Sequence, residues 1–148
     1  MPHIHLILQA GYDTVLKRMK RRHSRSDIIK ICDHIRQIRP NATFGADLIA
    51  GFPTETDEMF QNTLRMINEC DLTHLHVFPY SERSCTPASK MPSVPKYLRR
   101  KRASLLRKAG GERMRNLMES SLGNIARVLI EKNGKGRCER NLPVKIND

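Results

Sequence analysis

An apolar strand runs into a Gly-Pro turn and then into a helix start in Asp47-Leu48-Ile49-Ala50-Gly51-Phe52-Pro53-Thr54-Glu55-Thr56. Two other stretches, 2–11 and 76–83, also read as strands that end in polar, turn-forming residues. In α/β proteins, ligands bind where the carboxyl ends of parallel strands meet. The residues that close these three strands are therefore the first candidates for a binding site.

The order of strands and helices predicts an α/β fold. We predict parallel strands at 3–9, 43–50 and 74–80, because these are short apolar runs with turn residues beyond them. Parallel strands joined by crossover helices build barrels, and three of them make half of a six- or eight-membered barrel. Residues 1–92 are therefore predicted to form a half-barrel.

Capping and stop signals place the two helices between these strands. Ser24 or Ser26 is the predicted N-cap of the first helix, and Pro40 is its predicted stop. The second helix is predicted to follow Thr54, which forms a weak capping box with Asp57.

The rest of the chain predicts a long basic helix followed by a short β-rich tail. Pro95 is expected to open the helix within a linker at 93–122, and Gly110-Gly111 is expected to kink or break it, because mid-helix glycines are unfavourable. In the tail, 123–148, we predict a strand at 124–132, a turn at 133–137 and a second strand from Leu142.

Composition favours a polyanionic partner. The 148 residues carry a formal charge of +12, and the sequence pI is near 10.1. Clustered Lys and Arg gain free energy by releasing counterions from phosphate backbones, so nucleic acid is favoured over membrane. The sequence has neither a long apolar run nor an apolar N-terminal stretch, which leads us to expect a cytoplasmic protein.

The basic residues form two uncompensated groups that suit a phosphate backbone better than a merely solvated helix face. The first lies at 17–25, and the second, at 90–115, holds ten cations against the single acid Glu112. The residues predicted to contact RNA are Lys17, Arg18, Lys20, Arg21, Arg22, Arg99, Arg100, Lys101 and Arg102.

Cysteine and histidine spacing predicts no metal centre. Cys32, Cys70, Cys85 and Cys138 match no zinc or iron–sulfur spacing, so free thiols are expected, two of them acting as small buried hydrophobes. His3, His5, His74 and His76 alternate along two strands, which more often marks one face of a strand pair than a set of ligands.

Three motifs together resemble one family, the radical S-adenosylmethionine methylthiotransferases that modify tRNA, and most closely the branch acting on threonylcarbamoyladenosine. They are P-H-I-H-L-I-L-Q-A-G at 2–11, D-L-I-A-G-F-P-T-E-T at 47–56 and H-V-F-P-Y-S-E-R at 76–83. The basic stretch 13–23 is also similar to the family's D-x-V-L-K-R-M-x-R-R-[HY] helix. The resemblance covers almost the whole chain, corresponds to the family's carboxyl-terminal half, and implies that the tail begins a TRAM-like RNA-binding β domain.

The resemblance implies that this half of a radical barrel helps to hold S-adenosylmethionine. The chemistry of the strand ends agrees, because polar side chains there can bond ribose hydroxyls or an ammonium group while glycines allow close backbone approach. Tight-turn and capping roles explain the same residues without a ligand. The predicted cofactor-binding residues are Gln9, Gly11, Asp47, Gly51, Tyr80 and Ser81.

Three positions depart from the family pattern. Ala10 replaces a serine, and Thr54 and Cys85 each replace a glycine. A side chain where the backbone needs a positive φ costs about 1 kcal/mol or more. We therefore expect a weakened S-adenosylmethionine site.

Three readings of function remain open. The family's 4Fe-4S cluster is bound by a C-x-x-x-C-x-x-C loop that this sequence lacks, so no catalytic residue is predicted here. The first reading is a fragment of a tRNA methylthiotransferase, inactive alone and completed by a second chain that brings the cluster. The second is a non-catalytic tRNA- or RNA-binding module, and the third is a gene remnant without activity.

Overall fold

The computed structural model describes residues 2–131 and 134–145. Its first sheet contains β1 (His3–Gln9), β2 (Thr43–Ala50) and β3 (Leu72–Pro79), all parallel and in the order β1-β2-β3. The α/β prediction is confirmed, and the barrel is only partial. The third strand begins two residues before the predicted start at 74.

The helices are α1 (Asp13–Arg18), α2 (Arg25–Ile38), α3 (Asp57–Glu69) and α4 (Lys96–Glu119). Ser24 caps α2 in a reciprocal capping box with Asp27. Ser24 was one of the two predicted N-caps. The predicted cap of α3 was wrong: Thr56, not Thr54, accepts a hydrogen bond from the helix at Met59. No helix among the described residues is both long and apolar enough to cross a bilayer.

The parallel sheet packs one face against helices and leaves the carboxyl-terminal part of the other face exposed. Along β2, Phe44, Ala46, Leu48 and Ala50 are fully buried in the core shared with α2, α3 and α4. Side chains of alternating residues point to the opposite face. There Ile7 and Phe78 are 62% and 55% exposed, so we call this side the open face.

Helix α4 runs unbroken through Gly110-Gly111, so the predicted break was wrong, while the alternative of a kink stays a prediction. The reason is packing: a Cβ on Gly110 would lie 2.6 Å from Cδ1 of Leu75 on β3. The glycine therefore lets the helix approach the sheet. Gly111 is exposed, and nothing lies within 4 Å of the Cβ position there.

Alanine at these two adjacent glycines is expected to change stability in opposite directions. Gly111→Ala should raise the free energy of unfolding by about 0.5–1 kcal/mol through helix propensity. Gly110→Ala should lower the free energy of unfolding by about 1–2 kcal/mol, because the cost of crowding against Leu75 exceeds the gain in helix propensity. Urea denaturation of both variants tests this, and stabilisation of equal size in both would contradict the packing role.

The tail forms a second, antiparallel sheet of β4 (Val128–Ile130), β5 (Lys135–Cys138) and β6 (Pro143–Lys145). The predicted turn at 133–137 was wrong in part, because β5 begins at Lys135, and residues 132, 133 and 146–148 lie outside the described range. Thr43 Oγ1 donates to the carbonyl oxygen of Arg140 at 3.3 Å, which ties this sheet to the first one. A TRAM-like identity and the boundaries at 92 and 122 stay predictions.

Candidate functional site

A cleft of about 530 Å³ lies at the carboxyl ends of the three parallel strands. Four of the six predicted cofactor-binding residues line it: Gln9, Asp47, Tyr80 and Ser81. Gln9 ends β1, and Tyr80 and Ser81 directly follow β3. Asp47 lies within β2, which ends at Ala50, and the parallel pairing of the strands brings the four residues together. Ile49 and Phe78 add apolar surface from the open face.

The cleft has the size and composition of a small-molecule site. Ligand pockets commonly measure about 300–1,000 Å³ and combine apolar walls with a few polar groups. Carboxylate, amide and hydroxyl groups here can bond ribose hydroxyls and an ammonium group, and the Phe78 ring offers a flat surface to a base. The residues present therefore fit S-adenosylmethionine.

The structure gives packing roles to the two predicted glycines. Gly11 lies against α3, where its N–H donates to Thr63 Oγ1 at 2.9 Å and a Cβ would come within 2.7 Å of the Thr63 backbone. Gly51 has φ +72° and a Cβ there would meet Arg99 at 2.6 Å. Neither glycine lines the cleft, and their contact with a cofactor stays a prediction.

Both positions where the sequence replaces a family glycine have left-handed backbone. Thr54 and Cys85 each have φ +67°, a conformation that glycine adopts readily and β-branched residues rarely do. The turns of the family pattern are thus retained, and the side chains impose strain on them. Ala10, the third departure, is fully buried in a small core beneath the turn.

Glycine at Cys85 is expected to relieve this strain. Because Cys85 is exposed, Cys85→Gly should raise the free energy of unfolding by about 1 kcal/mol relative to Cys85→Ala. The alanine variant removes the thiol equally and is the matched control. Equal stability of the two variants in urea denaturation would show that the backbone is not strained.

The first basic group is available at the surface. Its exposed members are Lys17, Lys20, Arg21 and Arg22 at the end of α1 and in the turn that follows. Arg18 is half-buried and donates to the hydroxyl of Thr54 beside the cleft. RNA contact by these residues stays a prediction.

The second basic group divides into exposed and internal residues. Arg100 and Lys101 are exposed. Arg99 is largely covered and donates to the carbonyl oxygens of Val94 at 2.6 Å and Tyr80 at 3.1 Å. This arginine therefore supports the loop that ends the cleft.

The prediction that Arg102 contacts RNA does not fit its position. Arg102 is 3% exposed and donates to Glu55 Oε2 at 2.8 Å and to Asp57 Oδ1 at 2.6 Å. Glu55 in turn accepts the N–H of Gly51 at 2.8 Å. The arginine is a structural link between α4 and the turn after β2, which its place in a basic run did not reveal.

The described cysteines cannot hold an iron–sulfur cluster. All four are free thiols, as predicted, and Cys32 and Cys70 are buried. A hydrogen bond between the two lowers the pKa of Cys32 and, together with burial, raises that of Cys70. In 2–131 and 134–145 no set of three cysteines converges, so a 4Fe-4S cluster does not fit among these residues.

One convergence on the open face was not predicted from the sequence. Asp47 Oδ1 is 2.9 Å from His5 Nε2 and 3.2 Å from His76 Nδ1. His3 and His74 have other partners, and burial is the main cause that lowers the pKa of His3 to about 4 and that of His74 in the same direction. Alternation along β1 and β3 gave the common face, but the sequence did not indicate that Asp47 lies between the histidines.

Comparison with known proteins finds that the chain is similar to radical SAM proteins and to tRNA methylthiotransferases. The radical SAM superfamily model matches residues 1–67. A threonylcarbamoyladenosine tRNA methylthiotransferase MtaB of Rickettsia prowazekii is 50% identical over 147 residues, 99% of this chain and 35% of that protein. A tRNA-2-methylthio-N(6)-dimethylallyladenosine synthase of Acinetobacter baumannii is 40% identical over 131 residues, 88% of this chain and 27% of that protein.

A solved structure agrees on the fold. Coproporphyrinogen III oxidase of Escherichia coli, a radical SAM enzyme, matches with a TM-score of 0.56 and 24% identity over 74% of this chain and 27% of that one. The chain spans about a third of the length of the curated relatives it matches. These findings confirm the resemblance predicted from the three motifs.

Proposed function

We propose that this chain, a relative of the radical SAM tRNA methylthiotransferases, forms the carboxyl-terminal part of the barrel in an enzyme that methylthiolates threonylcarbamoyladenosine in tRNA. The threonylcarbamoyladenosine branch is supported by 50% identity over 99% of the chain. One observation carries the proposal for the site: four residues chosen as cofactor-binding from the sequence line a single cleft at the carboxyl ends of parallel strands.

The residues of the cleft would bind and orient the methyl donor. Asp47 and Gln9 offer acceptors for ribose hydroxyls or an ammonium group, and Tyr80 and Ser81 offer hydroxyls at the end of β3. Phe78, 55% exposed, offers its ring to the adenine base. Placement of the reacting atoms is what such contacts contribute to catalysis.

The cluster would come from a part of the enzyme outside the described residues. A 4Fe-4S cluster supplies the electron that cleaves S-adenosylmethionine reductively, which side chains alone cannot do. A further segment or a second chain that carries it is therefore part of the proposal. We infer a cytoplasmic enzyme, because tRNA is its proposed substrate.

A chimera tests the proposed function. The 147 residues aligned with the Rickettsia prowazekii relative replace the matching segment of that protein, and a bacterial host that lacks its own such enzyme expresses the product. We expect mass spectrometry of digested tRNA to detect methylthiolated threonylcarbamoyladenosine. The unaltered relative is the positive control.

A second chimera controls for the replacement itself. It carries the matching segment of the Acinetobacter baumannii relative, a tRNA-2-methylthio-N(6)-dimethylallyladenosine synthase. The first chimera distinguishes the alternative functions. A folded first chimera that leaves tRNA unmodified but still binds it would favour the non-catalytic RNA-binding module. One that neither modifies nor binds tRNA would favour the remnant.

A further inference from the structure

Two histidines and one aspartate converge on the open face, each from a different strand. His5 is on β1, Asp47 on β2 and His76 on β3. One ligand atom from each lies within 4.8 Å of the other two, and both rings contact the same oxygen, Asp47 Oδ1. The ring centroids of His5 and His76 are 4.9 Å apart.

Strand register explains this convergence. Asp47 and His76 are direct partners in the β2-β3 ladder, whereas His5 is paired with Gly45, two residues before Asp47. A Cβ on Gly45 would lie 2.5 Å from His5 Nδ1. Because glycine leaves that space open, the imidazole of His5 can lie across β2 and reach the aspartate.

We propose that His5, Asp47 and His76 bind one divalent transition-metal ion of the zinc or iron(II) class. Imidazole nitrogen and carboxylate oxygen are the ligands that these ions take at about 2.0–2.2 Å, and two His with one carboxylate leave coordination positions open. Ligand atoms on one such ion lie within about 4 Å of each other. Small side-chain rotations would therefore bring the three ligand atoms to bonding distance from one ion.

The surroundings leave room for the ion and a further ligand. The side chain of His76 is 65% exposed and that of Asp47 is 29% exposed, so the open positions face the uncovered side of the sheet. Asp47 also lines the cleft described above, which places the ion at its edge. A water or a polar ligand group from the cleft can complete the coordination.

Other polar groups nearby already have partners. His3 contacts Thr43 Oγ1 at 3.0 Å, and His74 contacts Thr73 Oγ1 at 2.9 Å. Arg107 and Arg137 line the adjoining cavity of about 380 Å³. Both guanidinium groups donate to backbone carbonyl oxygens, of Val77 and Asn141 respectively, so neither is an ion-pair partner of Asp47 among the described contacts.

The test uses the untagged 148-residue chain, stripped with a chelator and titrated with Zn²⁺ in competition with a chromophoric chelator. We expect one site, weakened at least tenfold in Asp47→Asn and in His76→Gln. His34→Gln is the matched control, because His34 is an exposed histidine on α2 away from the strands, and its affinity should be unchanged. His3→Gln, which alters a neighbouring ring, should change the affinity less than twofold.

A spectrum with Co²⁺ tests the ligand set independently. We expect d–d bands of a nitrogen–oxygen site without the sulfur-to-metal charge transfer that a cysteine ligand such as Cys85 would produce. Equal affinity in Asp47→Asn and wild type, a thiolate spectrum, or absence of saturable binding would each overturn the proposal. Circular dichroism and melting curves must show that the variants fold as wild type does. Because no tRNA or S-adenosylmethionine is present, the result is independent of the proposed function.

Discussion

Replacing Arg102 with alanine is expected to lower the free energy of unfolding by about 3–5 kcal/mol, because it leaves the carboxylate of Glu55 buried without its partner. The side chains of Arg102 and Glu55 are 3% and 1% exposed, so the pair is shielded from solvent. Guanidinium denaturation of the purified variant measures the effect. A loss of 3 kcal/mol is a large part of the stability of a small domain.

Two further variants distinguish the loss of a buried ion pair from the loss of a surface charge. Arg113→Ala removes a half-exposed pair with Asp71 and should cost about 1 kcal/mol or less. Combining Arg102→Met with Glu55→Gln should recover much of the loss, because no buried charge remains. A single Arg102→Ala variant as stable as Arg113→Ala would contradict the buried pair.

The loss should also depend on pH. Burial raises the pKa of Glu55, while the N–H of Gly51 and the charge of Arg102 oppose that shift. Without Arg102 the folded state holds the Glu55 proton more tightly than the unfolded chain does, so stability falls as pH rises from the unfolded value near 4.5. We expect the variant to be closer to wild type at pH 5 than at pH 8.

Neutralising the first basic group is expected to weaken tRNA binding at least about tenfold at 0.1 M salt, because each lost phosphate contact removes a counterion-release contribution. The variant carries glutamine at the four exposed positions Lys17, Lys20, Arg21 and Arg22. The substitutions should also reduce the slope of log affinity against log salt concentration by about 3. Fluorescence anisotropy with labelled tRNA measures both quantities.

The control removes charge elsewhere. Lys30 and Arg65 are exposed cations outside both basic groups, and Lys30→Gln with Arg65→Gln should change the salt slope little. Arg21→Gln with Arg22→Gln makes the same change in net charge within the basic group. Equal losses in the two double variants would mean that net charge, and not this surface, attracts tRNA. Wild-type affinity that does not vary with salt would contradict an electrostatic interface altogether.

Sequence patterns predicted the sheet because the signal for each strand lies in a short run of consecutive residues. The strands predicted at 3–9 and 43–50 have the observed bounds, because a short apolar run bounded by turn residues is typical of a buried strand. The break predicted in α4 failed for a non-local reason. The missing Cβ of Gly110 lets α4 pack closely against Leu75, and helix propensity does not take this tertiary contact into account.

The candidate site was predicted to the extent that it lies at strand ends. Gln9, Tyr80 and Ser81 follow from topology, because parallel strands bring their carboxyl ends to one edge, whereas Asp47 lies within β2. The burial of Arg102 could not be read from a basic run, since its partners precede it by 45 and 47 residues. Nor could the approach of His5 to Asp47, which depends on strand register.

The most direct test is whether a large side chain placed in the cleft weakens binding of S-adenosylmethionine. The protein measured is the chimera with the Rickettsia prowazekii relative. Ile49 lines the cleft and lies outside the main core, so Ile49→Trp should block it while leaving the fold intact. Ile38→Trp places the same ring at a 67% exposed position at the end of α2 and serves as the control. We predict at least tenfold weaker binding in equilibrium dialysis for Ile49→Trp and unchanged binding for Ile38→Trp. Wild-type affinity in a folded Ile49→Trp chimera would show that the methyl donor binds elsewhere.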